Sequence, residues 1–187
     1  EHQVGNIVEA AHEHGAEAIV AVDPISLGVI KPPGQYGADI VVGSIQPLGI
    51  HMHCGGGLGG FIASRDEPRY AHEYPTLMIS IAETTHNEKA FSLALTHQSS
   101  YGSREEGKDW TGNSTYLWTI AAAAYMSLLG PEGFHEVGER IIQQAHYCAS
   151  LLDEIDGVKV TPRQGFFKEF VVNFDETGKS VDEINKV

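Results

Sequence analysis

The sequence has few of the residues on which several classes of protein depend. Only two of its 187 residues are cysteines, Cys54 and Cys148, which excludes a disulfide framework and suits a reducing cytoplasm. Against 12 lysines and arginines there are 25 acidic residues, and the formal net charge of -13 disfavours nucleic acid and anionic membranes as partners. No apolar run approaches the roughly 18 residues of a membrane span, and no signal peptide is visible.

The first part of the chain combines a helical pattern with short apolar runs. It starts without Met and inside a helical pattern, so we expect a piece of a longer protein. Four apolar residues recur at helical spacing before a stop at Gly15, namely Val4, Ile7, Val8 and Ala11. Three apolar runs predict strands covered on both faces, at residues 18–22, 40–42 and 60–64. This order predicts an α/β layered fold.

The pattern changes near residue 112. Residues 87–97 are compatible with a helix, and the polar, glycine-containing stretch after them with a loop. A strongly helical run capped by Ser114 is expected to stop at Gly130, and Pro131 suits the first turn of a second helix that ends near Glu154. Strand-like pieces then follow at residues 158–161 and 166–174, and a last helix starts at Asp182.

Residues 51–60 form the strongest local motif, because two histidines and a cysteine precede a cluster of glycines. His51, His53 and Cys54 are possible zinc ligands, but on an extended chain Cys54 would face away from the histidines. A metal site would therefore need a further ligand from elsewhere in the fold. The glycines also suit a close approach of the backbone to an anion or a neighbouring subunit. Taken alone, the motif favours a tight turn between two strands.

Asp23 is the second candidate, because it follows a predicted buried strand. Ligands of open α/β sheets bind at the carboxyl ends of the strands, where a carboxylate can pair with a cationic ring nitrogen. The alternative is a strand-terminating turn at Asp23-Pro24. His12 and His14 do not share a helix face and are expected to be solvated, and Cys148 is expected in the core.

Several stretches taken together resemble one family. They lie at residues 20–28, 31–34, 36–43, 46–49, 127–133 and 166–172. The glycine motif of residues 51–60 comes directly after the stretch at residues 46–49. This set resembles the glycine dehydrogenase (decarboxylating) family, the P protein of the glycine cleavage system, and within it the alpha subunit of the two-subunit form. The resemblance implies the architecture of fold type I pyridoxal-phosphate-dependent transferases. Residues 1–112 would be the end of the large α/β domain, and residues 113–187 a helical linker with a truncated small α+β domain.

The resemblance also implies an activity that is shared between subunits. The family's complex uses pyridoxal phosphate to decarboxylate glycine and passes the aminomethyl group to a lipoylated H protein. Its beta subunit carries a His-Lys pair whose lysine binds the cofactor. By motif position, Asp23 falls at the aspartate that binds the cofactor ring nitrogen, and Gln46 and Pro47 fall at the His-Lys pair.

The sequence has no lysine between Lys31 and Lys89. Because proline offers no amine, the resemblance implies that pyridoxal phosphate is not covalently bound by this chain. We therefore expect no catalytic residue here, with the chemistry in a lysine-bearing beta subunit. By family position, cofactor contacts are expected from Asp23 and from the glycines that would shape the neighbour's pocket, Gly55, Gly56 and Gly57.

The chain departs from the family's pattern at three places. Residues 51–54 replace apolar and small residues, Lys168 stands where the family commonly has Asn, and residues 98–116 lack the family's arginine-rich run. A diverged, cofactor-free structural or regulatory relative is therefore a second hypothesis. A metal-dependent enzyme built on His51, His53 and Cys54 is a third.

Overall fold

The computed structural model describes residues 2–52, 59–74, 78–95, 102–105, 107, 115–163 and 165–186. Its first element is helix α1, His2–Glu13, which is followed by Gly15 at a φ of 71°. Glycine adopts this left-handed conformation without a steric penalty. The predicted first helix and its stop are confirmed.

A three-stranded sheet follows α1. Its strands are β1 (Ile19–Ala21), β2 (Ile40–Ser44) and β3 (Gly60–Ser64); β1 runs parallel to β2, and β3 antiparallel to it. The positions of the three strands are confirmed, but the expected burial on both faces is wrong, since Ile19 is 63% and Ile62 53% exposed. Alternate side chains of a strand point to opposite faces, and the hydrophobic core of the described chain lies on the face that receives Phe61.

The core forms where the loops after β1 and β2 meet a long helix. A short 3₁₀ helix, Pro24–Gly28, follows β1, and the long helix is α3, Tyr116–Asp153. Buried residues of the cluster come from these segments and are Ile25, Ile45, Leu48, Ile50 and Ala122. This packing holds the carboxyl ends of β1 and β2 against α3.

Between β3 and α3 lie a short helix and an antiparallel hairpin. The helix is α2, Pro68–Ala71, and the strands of the hairpin are β4 (Met78–Glu83) and β5 (Lys89–Ala94). The helix predicted over residues 87–97 is therefore wrong. Phe91 and Leu93 alternate with small residues, which is the period of a strand, and Asn87 turns the hairpin at a positive φ.

Helix α3 is broken as the sequence predicts. Gly130 has non-helical dihedral angles, φ 59° and ψ -178°, and Pro131 follows directly. Thr115 occupies the N-cap position, whereas Ser114 lies outside the described residues. Cys148 is exposed, so its predicted place in the core is wrong; the buried residue of that turn is its neighbour Ala149.

The chain ends in a small sheet and a short helix. Strands β6 (Lys159–Thr161) and β7 (Val171–Asn173) pair antiparallel, and helix α4 (Val181–Ile184) is capped by Ser180. The predicted strand over residues 166–174 is thus shorter than expected. The predicted domain division at residues 112 and 113 lies in a part of the chain outside the described residues and stays a prediction. None of the helices among the described residues is long and apolar enough to cross a membrane.

Candidate functional site

A cleft of about 690 Å³ lies at the carboxyl ends of β1 and β2. It is lined by Asp23, which follows β1, and by Ser44, Gln46 and Pro47, which end or follow β2. The chain therefore brings together the three residues that the motif positions single out, Asp23, Gln46 and Pro47. This is the edge at which open α/β sheets bind ligands.

Asp23 holds both of its carboxylate oxygens in defined contacts. Oδ1 accepts a hydrogen bond from the Ile25 N–H at 2.9 Å, so Asp23 caps the 3₁₀ helix that follows it. Oδ2 accepts a hydrogen bond from Nζ of Lys168 in an ion pair. The strand-terminating turn and the cleft carboxylate are thus two roles of the same side chain.

Lys168 lines the same cleft and pairs with Asp23. It lies in the segment between β6 and β7, 145 positions after Asp23 in the chain. The sequence marks Lys168 only as a departure from the family's pattern, because no local spacing relates two residues so far apart. Among the described lining residues it is the one lysine of the cleft.

The turn after β2 places Pro47 beside Asp23. The turn is closed by hydrogen bonds from the Leu48 N–H to the Ile45 carbonyl, at 2.9 Å, and from the Ile50 N–H to the Gln46 carbonyl, at 3.2 Å. Leu48 and Ile50 are buried in the core, where Ile50 also borders the cleft, and Gln46 and Pro47 line the cleft. Neither side chain offers an amine.

The glycine turn is not part of the described structure. Residues 53–58, which include His53, Cys54 and the three glycines Gly55, Gly56 and Gly57, lie outside the described residues. The predicted contacts of these glycines therefore stay predictions. His51 lines the cleft, but within the described ranges no group of three or more His, Cys, Asp or Glu could hold a metal ion. Because His53 and Cys54 are not among them, the metal hypothesis is untested.

A second polar cluster joins α1, β2 and the end of β3 around Asp39. This carboxylate is 3% exposed, accepts the Ala18 N–H at 2.8 Å, and contacts His12 Nε2 at 2.7 Å and Arg65 Nε at 3.0 Å. Burial raises the pKa of Asp39, but the hydrogen bonds from Ala18 and His12 and the charges of His12 and Arg65 outweigh it, and the pKa is lowered. The expectation that His12 is merely solvated is wrong, since the fold brings this buried carboxylate to it.

A separate cavity of about 660 Å³ lies between the Pro24–Gly28 helix and α3. Its lining is almost wholly apolar and includes Leu27, Phe61, Met126 and Phe134. No described acid or base lines it, so proton transfer is not available there. The cleft at Asp23, by contrast, is lined by charged side chains, Asp23 and Lys168 among them.

Comparison with known proteins gives one consistent result. A family model described as glycine cleavage system P-protein matches residues 2–187. A protein of Saccharolobus islandicus named probable glycine dehydrogenase (decarboxylating) subunit 1 is 38% identical over 174 residues, which make up 93% of this chain and 38% of that protein. A protein of the same name from Staphylothermus marinus is 35% identical over 178 residues, 95% of this chain and 38% of that protein.

A solved structure agrees with the sequence comparisons. A crystal structure of glycine decarboxylase (P-protein) of the glycine cleavage system, in inhibitor-bound form, superposes with a TM-score of 0.77 at 36% identity. The match covers 87% of this chain and 37% of that one. The chain thus spans well under half the length of the relatives it matches.

Proposed function

The chain belongs to the glycine cleavage system P-protein family, and from that premise we propose that it is part of the glycine decarboxylase subunit that carries no cofactor lysine. Glycine decarboxylation and aminomethyl transfer to a lipoylated H protein would then be carried by a lysine-bearing beta subunit. The mixed α/β architecture agrees with this assignment. We place the complex in the cytoplasm, which suits the two cysteines.

The residues that line the cleft are the main support for this proposal. Pro47 lines the cleft beside Asp23, and no residue from 32 to 88 is a lysine. A fold-type I active site needs an amine on this loop to bind pyridoxal phosphate covalently. We therefore propose that the cofactor of the complex is bound covalently by the partner and not by this chain.

The surface of the chain supports a role within a larger assembly. On one face of the β4–β5 hairpin, Ile79, Ile81, Phe91 and Leu93 are all exposed. Apolar surface on this scale favours coverage by further polypeptide.

We expect the chain to form a complex with a lysine-bearing beta subunit of the family when the two are expressed together. The complex should exchange bicarbonate with the glycine carboxyl group in the presence of lipoylated H protein. Size-exclusion chromatography and the incorporation of labelled bicarbonate measure the two results.

The matched control is a beta subunit whose cofactor lysine is replaced by alanine. It should still form the complex but lose the exchange, because the chemistry resides in the partner. Borohydride reduction of the unaltered complex, after unbound pyridoxal phosphate has been removed, should leave the cofactor label on the beta subunit. A label on this chain, or no complex at all, would contradict the proposal.

Two observations favour the second hypothesis, a cofactor-free structural or regulatory relative. The carboxylate of Asp23 already has a lysine partner within the chain, and residues 98–116 contain only two basic residues, Arg104 and Lys108. A complex that assembles but shows no exchange with an active beta subunit would select this hypothesis over the first.

A further inference from the structure

The Asp23–Lys168 ion pair lies where a cofactor ring would approach Asp23. Asp23 is 15% exposed and Lys168 is 38% exposed, so the contact is partly removed from solvent. Both residues line the cleft that also contains Gln46 and Pro47. Lys159 and Glu176 form another ion pair in the same part of the chain. Their side chains are 60% and 61% exposed, and neither residue lines the cleft.

Neighbouring contacts hold Lys168 in place. Phe167 packs against the hydrophobic core. Phe166 stacks on the ring of His146 with centroids 4.1 Å apart, and its carbonyl lies 3.0 Å from His146 Nε2. Because the residues before Lys168 are fixed on α3, its side chain loses less freedom on pairing than a lysine on a mobile loop would.

The residues of this cleft do not fit pyridoxal phosphate bound as in a lysine-bearing subunit. The loop after β2 presents Pro47 in place of an amine. The oxygens of Asp23 accept the Ile25 N–H and the Lys168 ammonium group. A protonated ring nitrogen would have to displace a charge that is already bonded to the same carboxylate.

We infer that Lys168 is the counter-ion of Asp23 within this chain. In this role Lys168 excludes the cofactor ring from the cleft. The same contact ties the segment before β7 to the end of β1. The inference rests on the proposed function, because it assumes that the cleft corresponds to a cofactor site. It adds a named residue that occupies the carboxylate a cofactor ring would need. Lys168 is a positioning residue in this role.

The first test measures binding of pyridoxamine 5′-phosphate to the full chain by equilibrium dialysis. This probe cannot form a Schiff base with surface lysines, so the measurement reports non-covalent binding. Lys168→Asn should bind it about tenfold more tightly than the wild type, because one charge-assisted hydrogen bond to Asp23 becomes available. Lys168→Arg keeps a cation beside Asp23 and should bind like the wild type.

Two controls assign the effect to the ion pair. Lys159→Asn removes a lysine from the exposed pair and should leave binding unchanged. Asp23→Asn combined with Lys168→Asn should abolish the gain, because asparagine still caps the helix but carries no charge. Equal affinity of the wild type and Lys168→Asn, or tight binding by the wild type, would overturn the exclusion of the cofactor.

Hydrogen exchange provides a second readout that needs no ligand. Lys168→Asn and Asp23→Asn should each speed amide exchange in residues 166–173 by roughly fivefold, as expected for a partly exposed pair. The double variant should exchange no faster than either single variant, whereas additive effects would overturn the coupling. The readouts need no beta subunit, so a failure of the ion pair to act is distinguishable from a failure of the chain to assemble, which would contradict the proposed function.

Discussion

Replacing Gly28 by alanine is expected to lower the free energy of unfolding by about 3 kcal/mol. Gly28 ends the 3₁₀ helix that follows β1 and lies directly against α3. A Cβ atom at this position would lie 2.5 Å from the Phe134 carbonyl oxygen, 2.6 Å from its carbonyl carbon and 2.9 Å from the His135 nitrogen. These are backbone atoms of a helix, which cannot rotate away as a flexible side chain could.

The matched control is Gly34→Ala. Gly34 lies in the next 3₁₀ helix, Pro33–Tyr36, and a Cβ atom there would meet nothing within 4 Å. Its replacement should change stability by less than about 0.5 kcal/mol, or raise it slightly by restricting the unfolded chain. Urea unfolding followed by circular dichroism compares the two variants. If both variants lose the same free energy of unfolding, Gly28 is not closely packed against α3.

Replacing Asp39 by asparagine is expected to cost about 2–4 kcal/mol at neutral pH. The carboxylate joins three parts of the fold, because it contacts the Ala18 N–H, His12 on α1 and Arg65 after β3. An asparagine oxygen in the place of Oδ2 could still accept the Ala18 N–H and keep the contact with His12. Its amide nitrogen would then stand in the place of Oδ1 and turn donors toward Arg65, which also donates.

The same substitution should change how stability depends on pH. The pKa of Asp39 lies below its ordinary value of 3.8 in the folded chain. The stability contributed by its charged form is therefore fully present above about pH 4 and is lost as the pH falls through the folded pKa. In Asp39→Asn this component should be absent.

Acid titration of unfolding, with Asp66→Asn as the control, checks the result. Asp66 is exposed and next to Arg65, so its replacement should leave the acid dependence close to that of the wild type. If Asp39→Asn and the wild type lose stability in parallel below pH 4, Asp39 is not the group responsible.

The order of the elements in the first part of the chain follows from local patterns in the sequence. Apolar spacing and Gly15 predict α1, and three short apolar runs predict β1, β2 and β3. The break of α3 at Gly130 is predicted as well, because glycine followed by proline disfavours a continuous helix whatever surrounds it. Residues 89–94 are by themselves compatible with a helix, and they form a hairpin strand only with a partner strand that periodicity does not identify.

Motif positions single out Asp23, Gln46 and Pro47, and the chain places all three in one cleft. Their role toward a cofactor stays a prediction. The absence of a lysine on that loop is likewise a property of the sequence. The glycine turn, by contrast, lies outside the described residues and its role stays a prediction.

The sequence by itself therefore determined the family, the strands that carry the cleft and the absence of an amine at Pro47. Only the tertiary structure decided which charges meet. Asp23 pairs with Lys168, which lies 145 positions later in the chain. Asp39 contacts His12, 27 positions before it, and Arg65, which follows β3. Local spacing specifies the neighbours of a residue along a helix or strand, whereas contacts of this kind exist only once distant segments pack on one core.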